Sequence, residues 1–272
     1  MSAYVSGAWL QQRLADPNVR ILEASTVQGT TYDAAHIPGA AWVDFHGDLL
    51  RNGDETSGAI LTPEQFAALM SRLGVTPQTT VVWYGDRHSS SAIRGFWMLD
   101  YYQHPGGCYV LEGGRERWLA EQRPLTTEVP STAPVSYPVP VRSDPANEAS
   151  WQDVLAAINA PDRVILDVRA QEEYDGQLVR AKRGGHIPGA VHIEWTDATA
   201  GDNVLKPAAD LRAIYEARGV TPDKEVIAHC QLGIRAVHTW FVLKHVLGYP
   251  NVKNYDGSWQ EWGNRDDLPI EQ

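Results

Sequence analysis

Three segments of the 272-residue chain recur in the same order: AHIPGA (35–40) as GHIPGA (185–190), LGVTP (73–77) as RGVTP (218–222), and LEGGRERW (111–118) as YDGSWQEW (255–262). The spacings are 150, 145 and 144 residues. Repetition on that scale is one domain copied once, and it excludes a solenoid, whose units run to about 20–50 residues. The length agrees, because two ordinary domains can each bury a core here. Between the copies, residues 124–150 are rich in Pro, Ser and Thr and lack apolar periodicity, the composition of an extended linker. The expected organisation is an N-terminal domain over 1–123, a linker over 124–150 and a C-terminal domain over 151–272.

Within the copies the pattern alternates. RVILDV (163–168) and EVIAH (225–229) are short β-branched runs that read as buried strands, whereas PAADLRAIYEARG (207–219) and RAVHTWFVLKHVLG (235–248) carry apolar residues at helical spacing. In the latter, Val237, Trp240, Phe241 and Leu247 share a face, and Gly248 supplies a C-terminal stop. Strands alternating with helices predict an α/β fold in which each copy is a parallel sheet flanked by helices.

Cys230 stands where the run EVIAH gives way to a helix, at the carboxyl edge where open parallel sheets collect ligands. The first N–H groups of a helix lack backbone partners, and their positive end attracts anions and favours a thiolate. Gly233 allows the intervening loop to curl, and Arg235 supplies an anion partner at a helix start, where a cation is otherwise poorly placed. Cys230 is therefore the candidate nucleophile. Cys108, before the strand-like YVLEGG, reads as apolar filler.

Together these features resemble the rhodaneses, or sulfurtransferases, in their tandem two-domain form, over nearly the whole chain. The motifs that carry the resemblance are HIPGA in both halves, IAHCQLGIRA (227–236) and NYDGSWQEWGN (254–264), with LEGGRERW as N-terminal counterpart. The resemblance implies two rhodanese-like domains and a Cys230 that takes the sulfane sulfur of an anionic donor such as thiosulfate, expelling sulfite. The persulfide then passes its sulfur to a thiophilic acceptor, cyanide or a thiol, in a ping-pong cycle. Backbone N–H groups of Gln231, Leu232, Gly233 and Ile234 hold the donor on this reading, with Arg235 on its sulfonate end. No cofactor is implied, and the histidines show no short-spaced metal-ligand cluster.

The N-terminal copy lacks the nucleophile. After VVWY the position of Cys230 falls to Gly85 or Asp86, so this domain is expected to be silent and to wall a cleft. Animal thiosulfate enzymes of the family carry two basic residues after the cysteine, and mercaptopyruvate enzymes carry Gly and Ser; Gln231 and Leu232 match neither. Mercaptopyruvate enzymes also use an arginine pair before the second HIPGA. Glu173 aligns with the first of these and only Arg180 or Arg183 with the other, which favours thiosulfate. Arg183 is accordingly counted with the donor-binding residues, although Arg180, Lys182 and Arg183 read equally as donor steering or as a solvated loop. Asp44 reads as cleft-facing or as a helix cap. Trp195, Trp259 and Trp262 line a pocket or fill the core. His36 and His186 recur in both copies, silent one included, and so read as structural.

A formal net charge of -11 argues against a nucleic-acid surface. No stretch approaches the length of a membrane span, and MSAYVSGAWLQQRLADP lacks a basic leader. Two cysteines make no disulfide framework, so a cytoplasmic protein is expected. The rival chemistry, a cysteine phosphatase, needs C-x5-R, whereas this loop is C-x4-R. A non-enzymatic alternative is a sulfur carrier between a desulfurase partner and a client protein.

Overall fold

The computed structural model describes residues 3–25, 31–53, 58–85, 89–141, 143–200 and 204–272. Each half builds its own parallel five-stranded sheet. In the first, β1 (Tyr4–Val5), β2 (Val19–Ser25), β3 (Ala40–Asp44), β4 (Thr80–Tyr84) and β5 (Cys108–Leu111) take the order β1-β5-β4-β2-β3. Its helices are α1 (Gly7–Gln11), α2 (Phe45–Leu49), α3 (Pro63–Arg72), α4 (Ser90–Tyr101) and α5 (Gly114–Ala120). In the second, β6 (Glu148–Ala149), β7 (Arg163–Asp167), β8 (Val191–His192), β9 (Glu225–His229) and β10 (Val252–Tyr255) take the order β6-β10-β9-β7-β8. Its helices are α6 (Trp151–Ala157), α7 (Gln171–Tyr174), α8 (Ala208–Glu216), α9 (Ile234–Phe241) and α10 (Ser258–Trp262). The shared strand order is what the repeat predicts.

Local chemistry sets the element boundaries. Thr62 caps α3, taking the Gln65 N–H while the Gln65 side chain returns to the Thr62 N–H, and Pro63 opens the helix with its fixed φ. Ser150 and Asp153 repeat the device at α6. In β9, Val226, Ile227, Ala228 and His229 are all fully buried, as a central parallel strand covered on both faces requires. Ile227 joins Ile165, Ile187, Tyr255, Trp259 and Trp262 in one core. Each such aliphatic side chain contributes roughly 1.5–3 kcal/mol relative to exposure.

Two boundaries differ from the sequence reading. The helix expected to reach Gly248 is α-helical to Phe241, then widens into a π turn over Val242–Val246 before Gly248 (φ +76°) ends it. The extra residue lets Lys244 reach the Asn147 side chain while Leu247 stays buried. The linker segment carries no helix or strand over residues 124–141, yet it lies on the first unit: Thr126 bridges to His36, and Tyr137 is buried against Phe66 and His104. Its last residues, Glu148–Ala149, form β6 beside β10. By packing, the division falls between Asp144 and Pro145, and Gly58 and Ala59 group with the second unit. There Gly58 (φ +62°) meets the Leu232 carbonyl so closely that no Cβ would fit.

Candidate active site

In the second sheet the chain passes from β7 outward to β8, then returns to place β9 on the other side of β7. This is a switch point, where the carboxyl ends of two strands open a site. Asp167 and His229 pair across it, and Cys230 follows directly, 1% exposed.

The loop from Cys230 to Gly233 is held by the start of α10. Trp259 N–H donates to the Cys230 carbonyl and Gln260 N–H to the Gln231 carbonyl, both at 3.0 Å. In a trans peptide the N–H points opposite to the C=O. The N–H groups of Gln231 and Leu232 therefore face away from α10, and they find no acceptor among the described residues. The N–H groups of Ile234 and Arg235, at the start of α9, find none either. The Ser258 hydroxyl accepts from Cys230 N–H (3.1 Å) and Gly233 N–H (3.0 Å) and donates to the Tyr255 carbonyl (2.7 Å). Gly233 has φ +74°, and a Cβ on it would meet Asp256 Oδ1 at 2.5 Å. Only glycine suits that position.

Arg235 projects from the first turn of α9 onto Glu173, a 1% exposed carboxylate at the end of α7, in a bidentate pair of 2.6 and 2.9 Å. Arg180 Nε lies 3.6 Å from the same carboxylate. Burial alone raises the Glu173 carboxyl; the hydrogen bonds and charge of Arg235, the Ala170 N–H and Arg180 outweigh it and hold the group below its ordinary range. Burial works against the Arg235 charge, but the Glu173 hydrogen bonds and the neighbouring Cys230 hold its pKa above the usual value. Two guanidinium groups around one carboxylate leave a net positive charge beside the sulfur.

Beneath the loop, Arg169 makes a bidentate pair with Asp167, both fully buried, and stacks on Trp259 at 4.3 Å. His229 Nε2 lies 3.6 Å from Asp167 Oδ2, and neither ring nitrogen has a hydrogen-bond partner among the described residues. Burial, only partly opposed by Asp167, pushes its pKa down to about 4, so the ring is neutral. The silent half shows the same design with other parts. Glu23 takes the place of Asp167, Tyr84 that of His229, and the Glu23 carboxylate receives Tyr84 Oη and Arg115. Arg115 N–H donates to the Gly85 carbonyl at 3.3 Å, as Trp259 does to Cys230, so Gly85 is the structural counterpart of Cys230. A Cβ on Gly85 would collide with the Ala24 carbonyl. Asp86 lies outside the described residues.

Of the expected donor-binding residues, Arg235, Gln231, Leu232 and Ile234 gather around Cys230. Gly233 is there too, but its N–H is taken by Ser258. Gln231 Nε2 donates to the Arg180 carbonyl and to Gln260 Oε1. Arg183 is placed otherwise: its guanidinium donates to the carbonyls of Trp262, Gly263, Arg265 and Leu268, which clamps the segment before HIPGA onto the chain after α10. Arg183 is expected from the sequence to bind the donor; in this structure four of its five guanidinium N–H groups go to those backbone carbonyls. Lys182 pairs with Asp266 at 2.5 Å. Asp44 caps α2 through the His46 N–H. Trp259 and Trp262 are core residues, while Trp195 is part-buried, edge-on to His238. His36 and His186 stack on Tyr32 and Tyr174 and hold the carbonyls of those tyrosines.

Glu173 and Ser258 are the site residues that sequence reasoning missed in these roles. Ser258 had a signal in the repeat, where it replaces Gly114. Among the described residues, no group of three or more His, Cys, Asp and Glu side chains is placed to hold a metal ion. Among them, too, no helix is long and apolar enough to cross a membrane.

Comparison with known proteins agrees with this architecture. The rhodanese-like domain family matches twice, over residues 6–121 and 150–265. The chain is 44% identical to the sulfur carrier protein TtuD of Thermus thermophilus, over 98% of this chain and 95% of that one. It is 39% identical to a thiosulfate sulfurtransferase of Azotobacter vinelandii, covering 98% and 96%, and 37% identical to one of Corynebacterium glutamicum, covering 98% and 89%. The solved structure of an anaerobic ergothioneine biosynthesis enzyme from Chlorobium limicola has a TM-score of 0.87 at 24% identity, over 99% of this chain and 70% of that one. That likeness speaks for the fold. With the motif in both halves and relatives aligned end to end, the chain belongs to the rhodanese-like sulfurtransferases, in their tandem-domain form.

Proposed function

We propose that the chain moves sulfane sulfur from thiosulfate to cyanide or a thiol through a persulfide on Cys230. The observation that carries this reading is the loop after β9, whose Gln231 and Leu232 N–H groups are turned from α10 and have no acceptor among the described residues, with Arg235 at its end. Those groups suit a dianion arriving at Cys230. The thiolate attacks the outer sulfur of thiosulfate; the new S–S bond forms as the bond to the sulfonate sulfur breaks, and sulfite leaves with the electron pair. Cyanide or a thiolate then attacks the outer persulfide sulfur, and the Cys230 thiolate departs. The N-terminal unit, with Gly85 in the corresponding place, offers no thiol there to load.

Glu173 supports thiosulfate over mercaptopyruvate. It stands where the mercaptopyruvate enzymes of the family place the first arginine of their pair, so an acid takes the position of one of their cations. The test is to incubate the protein separately with each donor and weigh the intact chain. One added sulfur atom from thiosulfate, absent in Cys230→Ser, is expected; loading from mercaptopyruvate alone would refute the donor assignment.

A second reading, a sulfur carrier that serves a protein partner, is supported by the identity with TtuD. Steady-state thiocyanate formation separates the two: the catalyst turns over many times, and the carrier stops after one loading unless its partner is added.

A further inference from the structure

We propose that Ser258 is a positioning residue for the Cys230 loop, its hydroxyl setting the conformation in which the loop amides receive an anion. The inference rests on the reading of Cys230 as the sulfur acceptor.

Three observations carry it. Ser258 is fully buried, and its hydroxyl is used to capacity, with one proton donated to Tyr255 and two N–H groups accepted, those of Cys230 and Gly233. These are the first and fourth residues of the loop, so a single oxygen brackets Gln231 and Leu232 and leaves their N–H groups to the other side. The backbone of Ser258 also sits at φ +50°, a region that side-chain-bearing residues rarely occupy, so the position is strained for serine. Finally, the silent half has the same backbone turn with no hydroxyl on the residue itself, the Ser89 Oγ lying 2.7 Å from where its Cβ would be. Gly114, at φ +53°, occupies the corresponding place, and a Cβ there would collide with the Gly85 carbonyl. The strained serine occurs in the half that carries the cysteine, and an unstrained glycine in the half that does not.

Without the hydroxyl, two buried N–H groups lose their acceptor. The loop then rotates to satisfy them, and the Gln231 and Leu232 N–H groups turn with it.

The test uses Ser258→Ala and Ser258→Gly in the full chain, with Cys108→Ser throughout so that one thiol remains. Glycine accepts φ +50° without strain, so Ser258→Gly keeps the fold even where alanine weakens it; thermal unfolding monitors both. The measured quantity is the rate of Cys230 alkylation by iodoacetamide as a function of pH. Both variants are expected to show a profile displaced upward by about one pH unit, roughly a tenfold slower reaction at neutral pH. The loading step from thiosulfate should slow by about the same factor. A folded Ser258→Gly that alkylates along the parent profile would overturn the proposal. If the parent takes no sulfur from thiosulfate while the displaced profile is still seen, the role of Ser258 stands and the donor assignment falls.

Discussion

Arg235 sets its Nη1 2.6 Å from Glu173 Oε2 and its Nη2 2.9 Å from Glu173 Oε1, so a cation that feels the Cys230 sulfur already holds a carboxylate. Replacing Glu173 with Gln keeps the shape and removes the competing charge. The kcat/KM for thiosulfate should rise about tenfold, equivalent to about 1.4 kcal/mol. Steady-state assays measure it; an unchanged value would show that Glu173 does not compete with the donor for Arg235.

Removing the other partner has a wider effect. Arg235→Ala strips the loop of its charge and strands a 1% exposed carboxylate. Breaking a fully buried pair costs about 3–5 kcal/mol; Arg235 is 22% exposed and Arg180 stays near Glu173, so about 2 kcal/mol of stability is expected to go. Turnover of thiosulfate should fall about a hundredfold as well. The double variant Arg235→Ala with Glu173→Ala should recover the stability but not the turnover, by denaturant unfolding and thiocyanate release.

His229 links stability to pH. Its folded pKa, about 4, lies below the ordinary histidine value of about 6.5, so the unfolded chain binds the extra proton between those values. The stabilisation is complete above about pH 6.5 and is lost as pH falls toward 4, at most about 3 kcal/mol. Glu173 and Asp167, both held below the ordinary carboxylate range, add a loss at lower pH still. His229→Tyr, which copies the Tyr84 arrangement of the silent half, should flatten the stability profile between about pH 6.5 and 4; thermal unfolding across that range measures it.

Gly233→Ala places a Cβ 2.5 Å from Asp256 Oδ1 at a backbone of φ +74°. Strain of about 1–3 kcal/mol is expected. Sulfur loading should drop more than stability does, because the displaced residue lies inside the Cys230 loop. Equal losses in both would indicate general unfolding.

Cys108→Ser should leave turnover within about twofold of the parent. Burial, with Asp100 nearby, pushes the Cys108 thiol well above its ordinary value, so it stays protonated and unreactive. Sulfur found on this residue by peptide mapping would contradict that account.

Much of this is legible in the sequence because duplication wrote it twice. The repeat announces two sheets, the run EVIAH marks β9 to its last residue, and Cys230 with Arg235 follows from a strand meeting a helix. What stays hidden depends on contacts between distant segments. Glu173 lies 62 residues from Arg235, and its place in an aligned motif says nothing about which guanidinium it will hold. Arg183 looks like part of a basic cluster because its four carbonyl partners lie 79 to 85 residues away and carry no side-chain signal. The π turn escapes because Leu247 keeps its place on the apolar face whether or not the helix widens. The linker shows its lack of periodicity plainly, but the burial of Tyr137 is decided by the unit it lies on.

Both halves bury an acid at the end of the strand beside the central one, yet the neutralising cation reaches Glu23 from the start of α5 and Asp167 from two residues past β7. Exchange of residues 111–118 with 255–262 would thus leave Glu23 without its arginine and crowd a second one against Arg169.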